Sequence, residues 1–508
     1  MKKGEEITGV IEDISFPNKG SFIYSETGVD GETRSYRVSV KGVLPGQKVR
    51  VRIIKKRQGH LEGRLLEVIE DSPLETAKPV CAHFYECGGC SYQTVAYEEQ
   101  LSLKENMVRK LIMPVIEAAA EDKLFAGEFM WEGILPSPSQ FRYRNKMEFT
   151  FGDSEKDGPL MVGLHRQYSS YDILGIDSCA IVDPAWNEIL KYTQRFYRSQ
   201  GVDFYHKMQH RGVLRNLVVR ESAMDGSILV NLVTTTKQDL LKAQGENENV
   251  EGLNLPEYVE GLLSLGDGHG RFNTLSHFSK ITGVLYTEND SFADAIVPQK
   301  VVTLYGDDFL IDEVLGLKFK ISPFSFFQTN TKGAEVLYSK VREYAYEALS
   351  GMKSEKSDIH TGVIYDLYSG TGTIAQLMAA VADKVYGIEI VEEAVIAARE
   401  NAKLNRLRNC EFIAGDVLKK LDEVEDRPDL IILDPPRDGV NPKALRKIMN
   451  YGVPYIVYVS CKPTSLARDL AVLGEAGYKA VKGCSVDMFP NTLNVETVVL
   501  LQKSCKRN

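Results

Sequence analysis

From about residue 320 onward, apolar strand-like runs alternate with helical stretches, and this alternation constrains the fold more than any other feature. The strand-like runs occupy residues 363–367, 384–388, 410–414, 429–433, 455–459, 478–486 and 495–502. Helical periodicity fills 391–404 and 465–476, between the earlier strands. Such alternation is typical of a parallel sheet with helices on both faces. We therefore predict an α/β fold, with a Rossmann-like domain of seven strands at 321–508 whose last two strands are joined without a helix.

The first 70 residues contain short strand-like runs separated by turns. In the segment 47–56, apolar residues alternate with basic ones, which places Val49, Val51 and Ile53 on one face of a strand. The pair Asp30-Gly31 is a hairpin signal. Five short strands of this kind suit a small β-barrel of the oligonucleotide-binding type at residues 1–70.

The region between these two domains, residues 71–320, mixes strand and helix patterns, and we predict a central α+β domain there. It contains a helix near 97–120, which we expect to pack on the C-terminal domain. The stretch 235–269 is polar and acidic, and it is interpreted as a surface insertion.

Composition favours a cytoplasmic protein without a membrane partner. The sequence has no run of about 18 apolar residues that could span a membrane. Its first residues, Met1 to Glu6, are followed by no apolar signal core. We also expect no obligate protein partner.

The net charge of −9 counts against RNA binding, because neutralising phosphates requires Lys and Arg. Yet Lys and Arg total 61, and they cluster at 50–57, 142–146 and 211–220. Each cluster can be solvated surface, but local patches rather than net charge govern an encounter with a polyanion.

The turn after the first predicted strand of the C-terminal domain carries the signature of a nucleoside-binding site. Gly370 and Gly372 allow a tight turn and a close ligand approach, although the third glycine of the dinucleotide fingerprint is missing. Glu389, nineteen residues beyond Gly370, ends the second strand and could bond vicinal ribose hydroxyls. Asp416 ends the third strand, where it could meet an adenine amino group. NAD and S-adenosylmethionine share these needs, so these residues alone do not choose between them.

Two further strand ends carry groups suited to covalent catalysis. Cys461 follows the fifth strand and precedes a helix starting near Thr464, whose N-terminal dipole is expected to favour a thiolate. Glu496 opens the last strand and could reach the same crevice as a general base. A lone cysteine is more often a small buried apolar residue, but a strand end in this fold faces the ligand.

Several motifs resemble those of the RNA uracil-5 methyltransferase family, over nearly the whole chain. They are Ser325-Phe326-Phe327-Gln328-Thr329-Asn330, Asp434-Pro435-Pro436-Arg437, Ser460-Cys461-Lys462-Pro463 with Leu466-Ala467-Arg468-Asp469, and Asn494-Val495-Glu496-Thr497. The N-terminal barrel also resembles the TRAM domain of RNA-modifying enzymes. Members often carry His near the base, where this chain has Asn491 and Asn494, and often carry Phe-Cys-Gly where it has Tyr368-Ser369-Gly370.

The resemblance implies transfer of a methyl group from S-adenosylmethionine to uracil C5, through an adduct between a cysteine and C6. It implies that Cys461 is the nucleophile and Glu496 the base. The residues expected to contact the cofactor are Gln328, Tyr368, Glu389 and Asp434 and, beyond these, Thr373 and Asp416.

Four of the eight cysteines have the spacing of a metal site: Cys81, Cys87, Cys90 and, far downstream, Cys179. Tetrahedral zinc and an iron–sulfur cluster both fit four thiolates, but three clustered cysteines plus a distant one favour the cluster. The ribosomal RNA branch of the resembled family carries [4Fe–4S] in this arrangement, so the resemblance implies that cluster and a 23S rRNA substrate.

Three alternatives remain. The first keeps the enzyme and changes the substrate to the T-loop uridine of transfer RNA. The second is a non-catalytic RNA-binding iron–sulfur protein, against which the presence of both Cys461 and Glu496 argues. The third is a cytosine-5 methyltransferase, whose nucleophile typically lies in a Thr-Cys or Pro-Cys loop, unlike Ser460-Cys461 here.

Overall fold

The computed structural model of the protein describes residues 2–27, 32–57, 59–120, 128–169, 171–236, 251–274, 277–352 and 362–504. The N-terminal part is a six-stranded sheet in the order β1-β5-β6-β4-β3-β2. Its strands are β1 (Glu6–Val10), β2 (Asp13–Ser15), β3 (Lys19–Thr27), β4 (Thr33–Lys41), β5 (Lys48–Arg57) and β6 (His60–Glu70). Alternation along β5 buries Val49, Val51 and Ile53, as predicted.

The sheet has six strands, whereas five were predicted. The sequence does not reveal β2, because this strand has only three residues. Strands β3 and β4 pair antiparallel up to Thr27 and Thr33, as a hairpin requires. The predicted turn residues Asp30-Gly31 lie outside the described residues.

The next two elements belong structurally to the C-terminal sheet rather than to the predicted central domain. They are α1 (Tyr97–Ala120) and β7 (Met130–Leu135). Strand β7 pairs in parallel with a C-terminal strand, and α1 buries Val108 and Ile112 in the same apolar core. The helix expected near 97–120 therefore packs on the C-terminal domain, together with the strand that follows it.

The central sheet has the order β10-β9-β8-β11-β12-β14-β13, with β15 paired to β14. Its strands are β8 (Lys146–Gly152), β9 (Met161–His165), β10 (Ile173–Gly175), β11 (Leu214–Glu221), β12 (Ser227–Thr234), β13 (Arg271–Thr274), β14 (His277–Glu288) and β15 (Lys300–Gly306). Two helices, α2 (Pro184–Gln200) and α3 (Leu255–Leu263), accompany it. Of the predicted surface insertion, residues 237–250 lie outside the described residues, and α3 accounts for much of the remainder.

Local signals explain where α2 begins and ends. The Asp183 side chain accepts a hydrogen bond from the Ala185 amide at 2.9 Å, and Pro184 occupies the first turn. Gly201, with φ 67°, ends the helix in the left-handed conformation.

A hairpin and a long helix connect the central sheet to the C-terminal sheet. They are β16 (Leu310–Val314), β17 (Leu317–Ile321) and α4 (Thr331–Gly351). The remaining elements are β18 (Val363–Leu367), α5 (Thr373–Met378), β19 (Lys384–Glu389), α6 (Glu392–Leu404), β20 (Cys410–Ala414), α7 (Val417–Lys420), β21 (Leu430–Leu433), α8 (Pro442–Tyr451), β22 (Tyr455–Ser460), α9 (Pro463–Glu475), β23 (Tyr478–Val486) and β24 (Glu496–Lys503).

The C-terminal sheet has eight strands in the order β20-β19-β18-β21-β22-β24-β23-β7, so the prediction of seven is corrected by the addition of β7. Strands β18 to β22 run parallel, and β24 is antiparallel to both of its neighbours. Strand order reverses between β18 and β21, which is where ligands bind in open α/β sheets. No helix in the described part of the chain is long and apolar enough to cross a membrane.

Candidate active site

The predicted catalytic and cofactor residues gather along one edge of the C-terminal sheet. Tyr368, Glu389, Asp416 and Asp434 lie at or just beyond the carboxyl ends of β18, β19, β20 and β21. Because β24 runs against these strands, its first residue, Glu496, lies at the same edge as their last residues. Topology alone therefore brings Glu496 to the crevice where the nucleoside-binding turn opens.

The register of β22 and β24 places Cys461 opposite Glu496. Ser460, at the end of β22, pairs with Thr497 of the antiparallel strand β24. Cys461 follows Ser460 and Glu496 precedes Thr497, so these two residues are next in the register. Glu496 is 5% exposed. Burial and, after it, the nearby charge of Asp434 together raise the pKa of its carboxyl to about 8, against the opposing effect of the Arg437 cation.

The surroundings of Cys461 favour its protonated thiol form. Burial, reinforced by the charges of Glu496 and Asp434, raises its pKa to about 11, while the Arg437 cation acts in the opposite direction. This shift is opposite in direction to the expected effect of the dipole of the following helix. Loss of hydration and two carboxylates outweigh the partial charge of one helix end.

The loop that carries Asp434 is held by α9. Val440 donates its amide to the Asp469 carboxylate at 2.8 Å, and Arg468 donates to the carbonyl of Asp438 at 2.7 Å. The motif Leu466–Asp469 thus contributes to the site by supporting the loop. Burial raises the pKa of Asp434 to about 7.

The turn after β18 has the conformation that its glycines allow. Gly372 has φ 75°, and a Cβ there would lie 2.5 Å from the Phe412 ring, so only glycine fits. A Cβ on Gly370 would meet no atom within 4 Å, so the space above this residue is open to a ligand. Glu389 supports the turn by accepting hydrogen bonds from Gly370 at 3.0 Å and Val391 at 2.9 Å.

The remaining predicted cofactor residues lie around this turn. Asp416 caps α7 by accepting from the Leu418 amide at 2.9 Å. Burial, with the Asp416 charge nearby, raises the pKa of Tyr368 to about 12, and Tyr368 has a left-handed φ of 69°. Thr373 is buried at the start of α5. The Gln328 side chain lies beside Tyr338 of α4 and opposes the rise that burial causes in the pKa of Tyr338.

Three site residues were not singled out from the sequence. Tyr338 is buried beside Asp434 and Glu496, whose charges help to raise its pKa. Asp366 accepts the Ala375 amide at 2.9 Å, and burial raises its pKa. Arg437 was visible only as part of a motif. A strand-terminal acid could have indicated Asp366, whereas nothing local distinguishes Tyr338 from other apolar positions of its helix.

The two asparagines that stand where relatives often carry His have clear structural surroundings. Asn491 is 2% exposed, with φ 65°. Its side chain accepts from Gln100 at 3.1 Å and donates to the carbonyl of Gln140 at 2.9 Å. Asn494 donates its amide to Thr492 at 3.2 Å. Asn491 therefore shapes the segment that leads into β24.

The four clustered cysteines converge, although they come from two distant parts of the chain. The pKa of Cys90 is raised to about 12 by burial and by the nearby Cys179, Cys87 and Cys81 thiols. Among the described residues, no group of three or more His, Cys, Asp or Glu side chains is arranged to hold a single metal ion.

The fold and this site define a mixed α/β methyltransferase, and comparison with known proteins agrees. The sequence profile of the tRNA (Uracil-5-)-methyltransferase family matches residues 311–504. An uncharacterized RNA methyltransferase of Caldanaerobacter subterraneus subsp. tengcongensis is 44% identical over 99% of this chain and 100% of its own. One from Clostridium tetani is 44% identical over 99% of both chains. The chain therefore belongs to a family of RNA methyltransferases, and its C-terminal part matches the tRNA (Uracil-5-)-methyltransferase profile.

Among solved structures, the chain is similar in fold to the tRNA (uracil-54, C5)-methyltransferase of Pyrococcus abyssi in complex with S-adenosyl-L-homocysteine. The TM-score is 0.68 at 23% identity, over 97% of this chain and 100% of that one.

Proposed function

We propose that this enzyme methylates C5 of a specific uridine in 23S rRNA, with Cys461 as nucleophile and Glu496 as base. The observation that carries the proposal is the strand register that sets these two residues opposite each other at the edge of the sheet. Uracil C5 is a poor nucleophile, so a thiolate must first add to C6 and a base must later act at C5. The two side chains supply both groups.

The proposed reaction balances in three steps. The Cys461 thiolate bonds to uracil C6, and the π electrons of the C5–C6 bond move towards O4 as an enolate. The enolate returns its electrons through C5, which takes the methyl group while the electron pair of the broken S–CH3 bond stays on sulfur. The Glu496 carboxylate then removes the C5 proton, the C5–C6 double bond re-forms, and the thiolate leaves C6.

Proton control at the pair depends on burial and on one cation. Because both pKa values are raised, the resting site holds a thiol and, near neutral pH, a largely protonated carboxyl. The Arg437 cation lowers the pKa of both groups and so favours the two reactive anions. Both protons must leave before the reaction is complete.

The cofactor is held, in this proposal, by residues around the turn after β18. S-adenosylmethionine supplies the electrophilic methyl group on a sulfonium centre. Glu389 has lone pairs left for ribose hydroxyls after accepting its two amides. The Asp434 carboxylate would attract the positive sulfonium centre, and Gln328 and Tyr368 are the other side chains expected there.

A [4Fe–4S] cluster held by Cys81, Cys87, Cys90 and Cys179 completes the proposal. Its support is the mutual proximity of the four thiols, which would be deprotonated by iron. Methyl transfer moves no electron, so the cluster would be structural. Ser91, next to this set, donates its amide to the carbonyl of Asn491 at 2.7 Å, which ties the cysteine segment to the approach of β24.

Transfer RNA is the second candidate substrate. The structural neighbour from Pyrococcus abyssi acts on uracil-54 of tRNA. The four-cysteine set argues against a tRNA substrate, because it resembles the set carried by the ribosomal RNA branch of the family.

The deciding experiment maps 5-methyluridine in rRNA and tRNA from cells with and without this gene. The deletion strain is complemented with the wild type or with Cys461→Ala. Loss at one or more 23S sites, restored only by the wild type, supports the proposal. Loss confined to the T-loop moves the substrate to tRNA, and unchanged RNA contradicts the proposed activity.

A further inference from the structure

The segment 322–330, here called the cofactor loop, joins β17 to α4 and carries Gln328. We propose that Arg220, a residue of β11 in the central sheet, is a positioning residue that holds this loop in its cofactor-binding shape. The central sheet would then influence the affinity for S-adenosylmethionine, although the cofactor residues named above lie outside this sheet. This inference rests on the proposed role of Gln328.

Arg220 donates hydrogen bonds from two side-chain nitrogens to the first half of the loop. Its Nη1 donates to the carbonyl of Ser322 at 2.9 Å, and its Nη2 donates to the carbonyl of Ser325 at 2.7 Å. The side chain is 4% exposed. A planar guanidinium fixes the distance between two acceptors, and a single ammonium cannot do so.

Other residues hold the second half of the loop. Asn145, which precedes β8 of the same central sheet, donates its Nδ2 to the carbonyl of Gln328 at 3.0 Å and its amide to Thr329 at 2.9 Å. On the opposite side, Thr371 of the glycine turn donates to the carbonyl of Phe326 at 3.2 Å. The backbone of the loop is thus held by both the central sheet and the glycine turn, and Gln328 lies beside Tyr338.

The buried cation is kept by two carboxylates. Burial lowers the pKa of Arg220 to about 10, and the charges of Glu148 and Asp312 counteract the shift, so the guanidinium stays charged at neutral pH. Asp312 also accepts from Thr331 at 2.7 Å, and Thr331 accepts from Asn145 at 2.7 Å. One polar network therefore connects the central sheet to the start of α4.

Arg215 offers a matched control on the same strand. It is 6% exposed and also donates to backbone carbonyls, those of Asn289 at 2.7 Å, Ser291 at 2.6 Å and Ala293 at 2.9 Å. These acceptors lie in the link between β14 and β15, within the central domain. Arg215→Lys therefore disturbs a similar buried arginine without touching the cofactor loop.

The test compares Arg220→Lys, Arg215→Lys and the wild type in the full-length protein. The measurements are the Kd for S-adenosylmethionine by calorimetry without RNA, KM and kcat for methylation, and Tm. Arg220→Lys should raise the Kd and the KM for S-adenosylmethionine about tenfold or more, because the substitution removes one charged hydrogen bond. The KM for RNA should change less than twofold. Arg215→Lys should lower Tm to a similar extent and leave the Kd for S-adenosylmethionine within about twofold.

Equal effects of the two lysine variants on the Kd, or an unchanged Kd in Arg220→Lys, would overturn the inference. If Arg220→Lys does not fold, Asn145→Ala provides a second test, because it removes a donor to the other half of the loop. This variant should also weaken the binding of S-adenosylmethionine. An unchanged Kd would count against the proposal. Gln328→Ala separates the two hypotheses. If Gln328→Ala binds the cofactor as tightly as the wild type does, the proposed role of Gln328 is wrong. If Gln328→Ala binds the cofactor more weakly while Arg220→Lys binds it normally, only the role of Arg220 is rejected.

Discussion

Lys104 of α1 and Asp487, just after β23, form an ion pair with Nζ and Oδ1 2.6 Å apart and both side chains fully buried. Lys104 also donates to the carbonyl of Phe489 at 3.0 Å. The pair joins a helix from the first quarter of the chain to the segment that leads into Glu496.

Removing one partner of this pair should destabilise the fold. Lys104→Met leaves the Asp487 carboxylate buried without its cation, and we expect the free energy of unfolding to fall by ~3–5 kcal/mol. Urea denaturation measures the change. Lys110→Met, on the exposed face of the same helix, is the control and should change stability by less than about 1 kcal/mol. A small loss in Lys104→Met would show that the buried pair does not stabilise the fold.

Cys461→Ala should abolish methylation and leave cofactor binding nearly intact, because only the thiolate can add to uracil C6. With RNA containing 5-fluorouridine, the wild type should form a covalent complex, since fluorine cannot leave C5 as a proton does. The variant should form none on a denaturing gel. Cys484→Ala, at a buried position on β23, should still form the complex. Normal turnover by Cys461→Ala would reject the covalent mechanism.

Glu496→Gln should allow addition and methyl transfer but block removal of the C5 proton. We therefore expect a methylated RNA adduct of the protein to accumulate on denaturing gels, with turnover lowered at least ~100-fold. Glu347→Gln, whose carboxylate pairs with Lys482 on the surface, should behave as the wild type. An active Glu496→Gln enzyme without an adduct would mean that another group is the base.

The stability of the protein should depend on the protonation of Glu496. Its pKa is raised from an ordinary value of 4.5 to about 8, so the folded state keeps a proton that the unfolded chain loses. This contribution to stability is complete below about pH 4.5 and is lost as the pH rises through about 8. Glu496→Gln lacks the ionisation, so its Tm should exceed that of the wild type increasingly over this range. Parallel Tm curves from pH 5 to 9 would contradict the shift.

The four-cysteine set should bind iron. Protein purified without oxygen should absorb broadly in the blue part of the visible spectrum and contain acid-labile sulfide, because thiolates ligate the cluster. Cys179→Ser should lose both, and Cys484→Ser, outside the set, should keep them. Colourless wild-type protein loaded with zinc would instead favour a tetrahedral metal site.

Much of the C-terminal half could be predicted from local pattern. The bounds expected for β18, β20 and β23 are those of the structure, and those of the other strands differ by about one residue. This succeeds because buried parallel strands are continuous apolar runs, and the helices between them carry their own period. The same local order implied that Cys461 and Glu496 would lie near one another, once β24 was expected to follow β23 directly.

Other features depended on contacts between residues far apart in sequence. The sequence of β7 does not indicate that this strand pairs with β23. Periodicity also does not reveal that Arg220 binds the cofactor loop or that Tyr338 lies beside Asp434 and Glu496. The protonation of Cys461 was misjudged because a pKa depends on burial and on charges brought in by the fold. The sequence by itself determined the elements, their order and the chemical groups available. The tertiary structure decided which strands pair, which buried arginine holds which loop, and which way the pKa values of Cys461 and Glu496 shift. Pairing and desolvation are set by neighbours that only folding brings together.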